Sequence, residues 1–300
     1  MQSSTEHQSA PRLPDLTDAS LAIDGRIAVL TFQRHDVRNA LTGTALVDDI
    51  VATVAWANSN PEVSVLILTG DGSAFCSGGN VKEMQSRTGS FAGSPVELQD
   101  RYRHGIQRLP LALHGAELPV IAAVNGPAVG VGASMTLAMD ARFAAPSASF
   151  GFVFTRLGIV PEACSSWFLP RLVGLPIALD WLMSGRRVSA DDALAYGLAQ
   201  HLADDVVTAA TGYARDLVAG TAPVSVALTR QLVWRMITVA TPAEAHRVDS
   251  ALLLAAAAAP DAREGVAAFR ERRAPDFAMR TPEDLPAAYP WWEPDQEWST

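Results

Sequence analysis

Apolar residues in this chain fall first into short alternating or unbroken runs, and later into stripes that repeat every third or fourth residue. Residues 20–23 and 27–32 flank Asp24-Gly25-Arg26, the pattern of two strands joined by an Asp-Gly turn. Leu46, Ile50 and Val54 recur every fourth residue and predict an amphipathic helix ending near Trp56. Residues 63–69 form a β-rich run that stops at Gly70-Asp71-Gly72. Positions 83–100 are polar and rich in Ser and Gly, which predicts a mobile loop. Within it, Ser94-Pro95-Val96-Glu97 has the spacing of a capping box with proline at the first helical position. Tyr102, Ile106, Leu109 and Leu113 continue at helical spacing, with a kink expected at Pro110. A strand over 119–124, a helix from about 130 to 138 and a strand over 141–144 follow.

Strands alternating with helices predict an α/β sheet with crossover helices. Beyond about residue 175 the strand signal fades. Ser189-Ala190-Asp191-Asp192, Thr241-Pro242-Ala243-Glu244 and Asp261-Ala262-Arg263-Glu264 each read as helix starts. Val224, Leu228, Leu232 and Met236 form one apolar stripe, and the alanine run 255–259 stops at Pro260. No internal repeat is visible. The expected organisation is a flexible tail over 1–18, an α/β core over 19–200, a helical region over 201–280 and a Trp-rich extension over 281–300. The aromatics of that extension, Tyr289, Trp291, Trp292 and Trp298, are expected to pack against their own domain or a neighbouring subunit.

Composition narrows the function. With 300 residues and 49% apolar content the chain can bury one large core, alone or with a small appendage. A formal charge of −9 argues against a nucleic-acid surface, while leaving room for a local cationic pocket. Cys76 and Cys164 are too few for a disulfide framework or a zinc site, the six histidines lack metal spacing, and a reducing cytoplasm fits best. The polar tail has no hydrophobic stretch of the signal-peptide kind. Residues 118–139 are free of charge and long enough to span a bilayer, but Pro119, Asn125, Pro127 and three glycines interrupt them. A buried strand followed by a buried helix explains that stretch better than a membrane span.

Two glycine-rich turns each follow an apolar run: Ala74-Phe75-Cys76-Ser77-Gly78-Gly79-Asn80 and Asn125-Gly126-Pro127-Ala128-Val129-Gly130-Val131-Gly132. Either alone reads as an ordinary strand-to-helix turn. Together, on neighbouring strands, they can aim two backbone N–H groups at one oxygen, the geometry of an oxyanion hole. Gly130-Val131-Gly132 also invites a dinucleotide-binding reading, but Met135 occupies the third small position and no acid follows at the next strand. Glu162 lies among apolar and small residues in Val160-Pro161-Glu162-Ala163-Cys164-Ser165. An acid after proline suits a helix first turn. It also suits a general base whose pKa is raised by apolar neighbours. Cys164 and Ser165 have no histidine nearby in sequence and fit a small-residue helix face. Asp140-Ala141-Arg142 reads as a local ion pair or cap.

Arg38-Asn39-Ala40-Leu41, Ala74–Met84 as AFCSGGNVKEM, 119–132 as PVIAAVNGPAVGVG, and 184–198 with Ala190, Ala193 and Gly197-Leu198 occur in the order found in the crotonase, or enoyl-CoA hydratase/isomerase, superfamily. Arg263-Glu264-Gly265 with Phe269 and Arg272-Arg273 resembles the family's terminal helix, so the resemblance spans roughly 20–280. It implies a ββα spiral core with a helical C-terminal trimerisation part, assembled as a homotrimer or dimer of trimers. It implies an acyl-CoA thioester as substrate, no separate cofactor and no metal. The oxyanion amides fall on Gly79 and Val131. Ser77 and the backbone of Gly79, Asn80, Val81 and Lys82 line the acyl-pantetheine path, Arg38 and Ala40 flank the CoA, and Lys82 or Arg272 meets phosphate. The two glutamates of the hydratases correspond to Ser134 and Phe154, which cannot supply that acid–base pair. The Glu162 segment instead resembles the one that carries the catalytic glutamate of Δ3,Δ2-enoyl-CoA isomerases. The expected activity is therefore isomerisation with Glu162 as proton shuttle. A hydratase or CoA-ester hydrolase using Glu162 to activate water, a non-catalytic acyl-CoA-binding protein, and more distantly an NAD-dependent dehydrogenase, are the alternatives.

Overall fold

Val65–Gly70 and Val120–Val124 are buried at every position, as central parallel strands with both faces covered require. In the computed structural model, which describes residues 12–293, they lie at the centre of a six-stranded sheet. The strands in chain order are β1 (Ala19–Asp24), β2 (Ile27–Phe32), β3 (Val65–Gly70), β4 (Val120–Val124), β5 (Pro127–Val129), β6 (Ala141–Ala144), β7 (Ser149–Gly151), β8 (Arg187–Ser189) and β9 (His201–Leu202). The large sheet has the order β1-β2-β3-β4-β6-β9, antiparallel only between β1 and β2. A second sheet pairs β5, β7 and β8.

The helices are α1 (Leu46–Asn58), α2 (Val81–Ser86), α3 (Pro95–His104), α4 (Arg108–His114), α5 (Val131–Thr136), α6 (Ser165–Val173), α7 (Leu175–Ser184), α8 (Ala190–Ala195), α9 (Val206–Gly220), α10 (Pro223–Met236), α11 (Pro242–Ala258) and α12 (Pro260–Glu271). Helix α9 lies across β2, β3, β4 and β6. Val224 and Leu228 of α10 and Val248 and Leu252 of α11 make a second, smaller core, completed by Leu285, Tyr289 and Trp291. The C-terminal aromatics thus pack on their own chain, with the Arg235 guanidinium 3.2 Å over the Trp292 ring and the Tyr289 hydroxyl donating to Glu117. Trp298 lies outside the described residues.

Several expectations need correction. Residues 83–100 are not one loop: α2, a 3-10 turn over Gly89–Phe91 and the start of α3 occupy them. The capping box at Ser94 and Glu97 forms in both directions. Pro110 does not kink a long helix; the break comes earlier, at 105–107, which places Pro110 in the first turn of α4 where no backbone donor is needed. The end of the N-terminal tail is held, because the Thr17 and Asp18 N–H groups both donate to the buried Asp49 carboxylate, at 3.0 and 2.7 Å. Asp140 and Arg142 do not pair with each other. Asp140 takes the Arg230 guanidinium at 2.7 Å, the Trp234 indole and the Val120 N–H, whereas Arg142 donates to three backbone carbonyls. No helix among the described residues is long and apolar enough to cross a membrane, and no His/Cys/Asp/Glu group there has metal-holding geometry.

Candidate active site

The two glycine-rich turns are stitched together. Each leaves the C-terminal end of a central strand, where parallel sheets present their loops as a crevice. Phe75 N–H and Cys76 N–H both donate to Pro127 O, and Val129 N–H donates back to Cys76 O at 2.9 Å. The first turn is held on its other side by Arg38-Asn39-Ala40-Leu41: Ser77 N–H donates to Arg38 O and Leu41 N–H to Gly78 O. Arg38 and Asn39 both adopt left-handed backbone, and the fully buried Asn39 amide donates to Asp71 O and Ala74 O. Arg38, Ala40 and Ser77 therefore sit in one cluster with Gly78 and Gly79.

Glycine is required where the turns touch. A methyl on Gly78 (φ +78°) would lie 2.3 Å from Val129 O, and one on Gly132 would lie 2.5 Å from Cys76 O. The same Cβ position on Gly78, the residue before Gly79, is 3.4 Å from Val131 N, so the turns that carry the two candidate oxyanion donors touch. Val131 opens α5, so its N–H is one of the helix's free donors, and neither it nor the Gly79 N–H has an acceptor among the described residues.

Next to Gly79 begins an apolar cavity of about 700 Å³. A Cβ on Gly79 would stand 3.2 Å from Met84 and 3.6 Å from Phe91, and both line that cavity with Val81, Leu98, Tyr102 and Leu157. Phe91 and Tyr102 meet edge to face, with ring centres 6.4 Å apart. Asn80 caps α2, accepting from Lys82 N–H, and its amide donates to Glu83 at 2.9 Å. Glu83 also accepts from Ser90 N–H, so it fixes the turn that carries Phe91. From sequence, the polar stretch over 83–100 and the helix over 102–114 are expected to wall the acyl pocket, and Phe91 and Tyr102 are residues of those two segments that line this cavity. The Asn-x-x-Glu spacing at 80–83 was a readable signal for the cap.

Glu162 lies near enough to Tyr102 of this cavity for its charge to act on the phenol. Partial burial pushes its carboxyl up to about 7, and its charge in turn helps burial raise the Tyr102 phenol to about 12. The backbone around it is strained: Ala163 (φ +51°) and Cys164 (φ +55°) are consecutive left-handed residues without being glycine. Such a step costs of order 1–3 kcal/mol per residue and collects at functional sites. Ser165 stabilises it, donating to Glu162 O through its N–H at 3.1 Å and its hydroxyl at 2.8 Å. Ser134 and Phe154 are both buried, and the Ser134 hydroxyl has no hydrogen-bond partner among the described residues. Cys164 is a partly buried free thiol with a raised pKa, unlike an activated nucleophile. Lys82 is exposed on α2 beside the cavity, while Arg272 ends α12, and no contact among the described residues joins it to the turns.

The model of the enoyl-CoA hydratase/isomerase family matches residues 22–280. The chain is 37% identical over 265 residues to the enoyl-CoA hydratase ACTT3 of Alternaria alternata, covering 86% of each protein. It is 34% identical over 172 residues to a 4-chlorobenzoyl coenzyme A dehalogenase-1 of an Arthrobacter species, covering 57% of this chain and 61% of that one. Among solved structures, an enoyl-CoA hydratase from Bacillus anthracis superposes with a TM-score of 0.80 at 28% identity, covering 87% of this chain and 99% of that one. The chain belongs to the enoyl-CoA hydratase/isomerase family and has the crotonase fold.

Proposed function

We propose that this enzyme isomerises a 3-enoyl-CoA to a 2-enoyl-CoA. Glu162 removes a proton from C2, the dienolate oxygen rests on the Gly79 and Val131 N–H groups, and Glu162 returns the proton at C4. One observation supports the reading: Glu162, whose charge acts on Tyr102 of the cavity lining, has its carboxyl raised by burial to about 7. A base with that value is ionised enough to act near neutrality, yet holds its proton long enough to return it. Hydration by the two-glutamate route would need acids at 134 and 154, where serine and phenylalanine stand.

A second reading is favoured by the names of the relatives, which are called hydratases. In it, Glu162 activates a water that adds to a 2-enoyl-CoA. Incubating the enzyme separately with a 3-enoyl- and a 2-enoyl-CoA separates the two. Isomerisation yields 2-enoyl-CoA from the first and no 3-hydroxyacyl-CoA from either. Accumulation of 3-hydroxyacyl-CoA from the second would favour water addition.

The pH dependence follows from the Glu162 carboxyl acting as base. The ratio kcat/KM is expected to rise about tenfold per pH unit well below 7 and to level off above it. A profile flat from pH 5 to 8 would remove Glu162 from the rate-determining proton transfer.

Ser165 acts as a positioning residue through the Glu162 carbonyl. Ser165→Ala deletes one bond worth about 1 kcal/mol, so kcat should fall about fivefold with KM nearly unchanged, and Ser165→Thr should recover part of the loss. A purely structural hydroxyl would lower the melting temperature without separating kcat from KM.

A further inference from the structure

We propose that the cavity beyond Gly79 selects apolar acyl chains of roughly eight carbons or more, in keeping with the size of pockets that enclose ligands of that bulk. The inference rests on the acyl-CoA reading above and adds the class of acyl group. The reacting carbons must lie beside the Gly79 and Val131 amides, so a four-carbon acyl group ends close to Met84 and Phe91. The cavity begins there and continues for about 700 Å³.

The lining is unfinished as it stands. Val81, Leu157 and Ile159 border the cavity and are 58%, 46% and 39% exposed. Apolar side chains left open along a concave wall indicate an apolar occupant. Of the eleven lining residues, only Gln85, Arg87 and Tyr102 carry polar side chains. The Tyr102 phenol is neutral at any pH at which the protein works, because burial and the Glu162 charge hold it up to about 12.

The wall is also preformed. Glu83 ties Asn80 to Ser90, the Ser94–Glu97 capping box fixes the start of α3, and Phe91 rests on Tyr102. A chain entering this space meets aromatic and aliphatic surfaces already in position, so little ordering cost offsets the gain.

Saturated acyl-CoAs test the proposal by calorimetry, since they bind without being turned over. Each buried methylene is worth about fourfold in affinity. Even partial capture of the extra chain should make dodecanoyl-CoA bind at least about 30-fold tighter than butanoyl-CoA. Leu98→Trp, which places a large ring in the cavity, should reduce that ratio to about threefold or less. Equal affinities in the unaltered protein, or a ratio that Leu98→Trp leaves intact, would overturn the proposal while acyl-CoA binding itself still stands. Failure of every CoA thioester to bind would overturn the acyl-CoA reading with it.

Discussion

Glu162→Gln should abolish turnover of a 3-enoyl-CoA, by about a thousandfold or more, while leaving acyl-CoA affinity within a few-fold of the original. The amide keeps the volume and one acceptor of the carboxylate but cannot take a proton at C2. The same substitution should make the protein more stable at pH 8. Burial raises the Glu162 carboxyl from the ordinary glutamate value to about 7, so the folded chain binds its proton more tightly than the unfolded chain does. Between the two values stability falls as pH rises, and above about 7 the folded state carries the full cost of a desolvated charge. Glutamine never ionises and removes that cost, of order 1–3 kcal/mol for a partly solvated group. The expected rise in Tm is roughly 2–6 °C at pH 8 and close to nothing at pH 4. Loss of activity together with loss of stability at pH 8 would mean that Glu162 is a structural acid. Retained activity would remove it from the mechanism.

Gly78→Ala should be nearly as damaging, for a different reason. Its methyl would stand 2.3 Å from Val129 O, where the two turns are bonded back to back. The turns must separate, and with them the Gly79 and Val131 donors. Loss of one oxyanion donor costs a hundredfold or more in kcat, so a fall of at least about that size is expected. The left-handed conformation adds its own strain of about 1 kcal/mol. Gly25→Ala supplies the control. Gly25 sits in the β1–β2 turn with φ +58° and open space around it, so it carries the strain without the collision. Gly25→Ala should therefore lose some stability and keep its kcat. If the two variants behave alike, contact between the turns is not what activity requires.

Both sites were legible in part from sequence. The two glycine-rich turns were visible because each follows an unbroken apolar run, and such runs make buried parallel strands. That they touch was beyond the residues alone, since β3 and β4 are brought together by pairing between Leu66–Thr69 and residues 120–123. The second sheet was missed for a simpler reason. β5, β7 and β8 have three residues each, too few to show a period, and β5 begins with proline. Glu162 stood out as an acid among apolar neighbours. The left-handed step at Ala163 and Cys164 that carries it did not, because neither residue type favours that conformation. The polar stretch after Gly79 concealed α2, which buries no side chain fully and leaves no apolar stripe to read, while α3 was marked only by its capping box at Ser94 and Glu97.

The central claim is that Glu162 moves a proton between two carbons with no water entering the product. Turnover of a 3-enoyl-CoA in water enriched in the heavy oxygen isotope, read by mass spectrometry, tests it most directly. The account predicts a 2-enoyl-CoA of unchanged oxygen mass. Label at C3 of a hydroxyacyl-CoA, or in a released carboxylate, would contradict it.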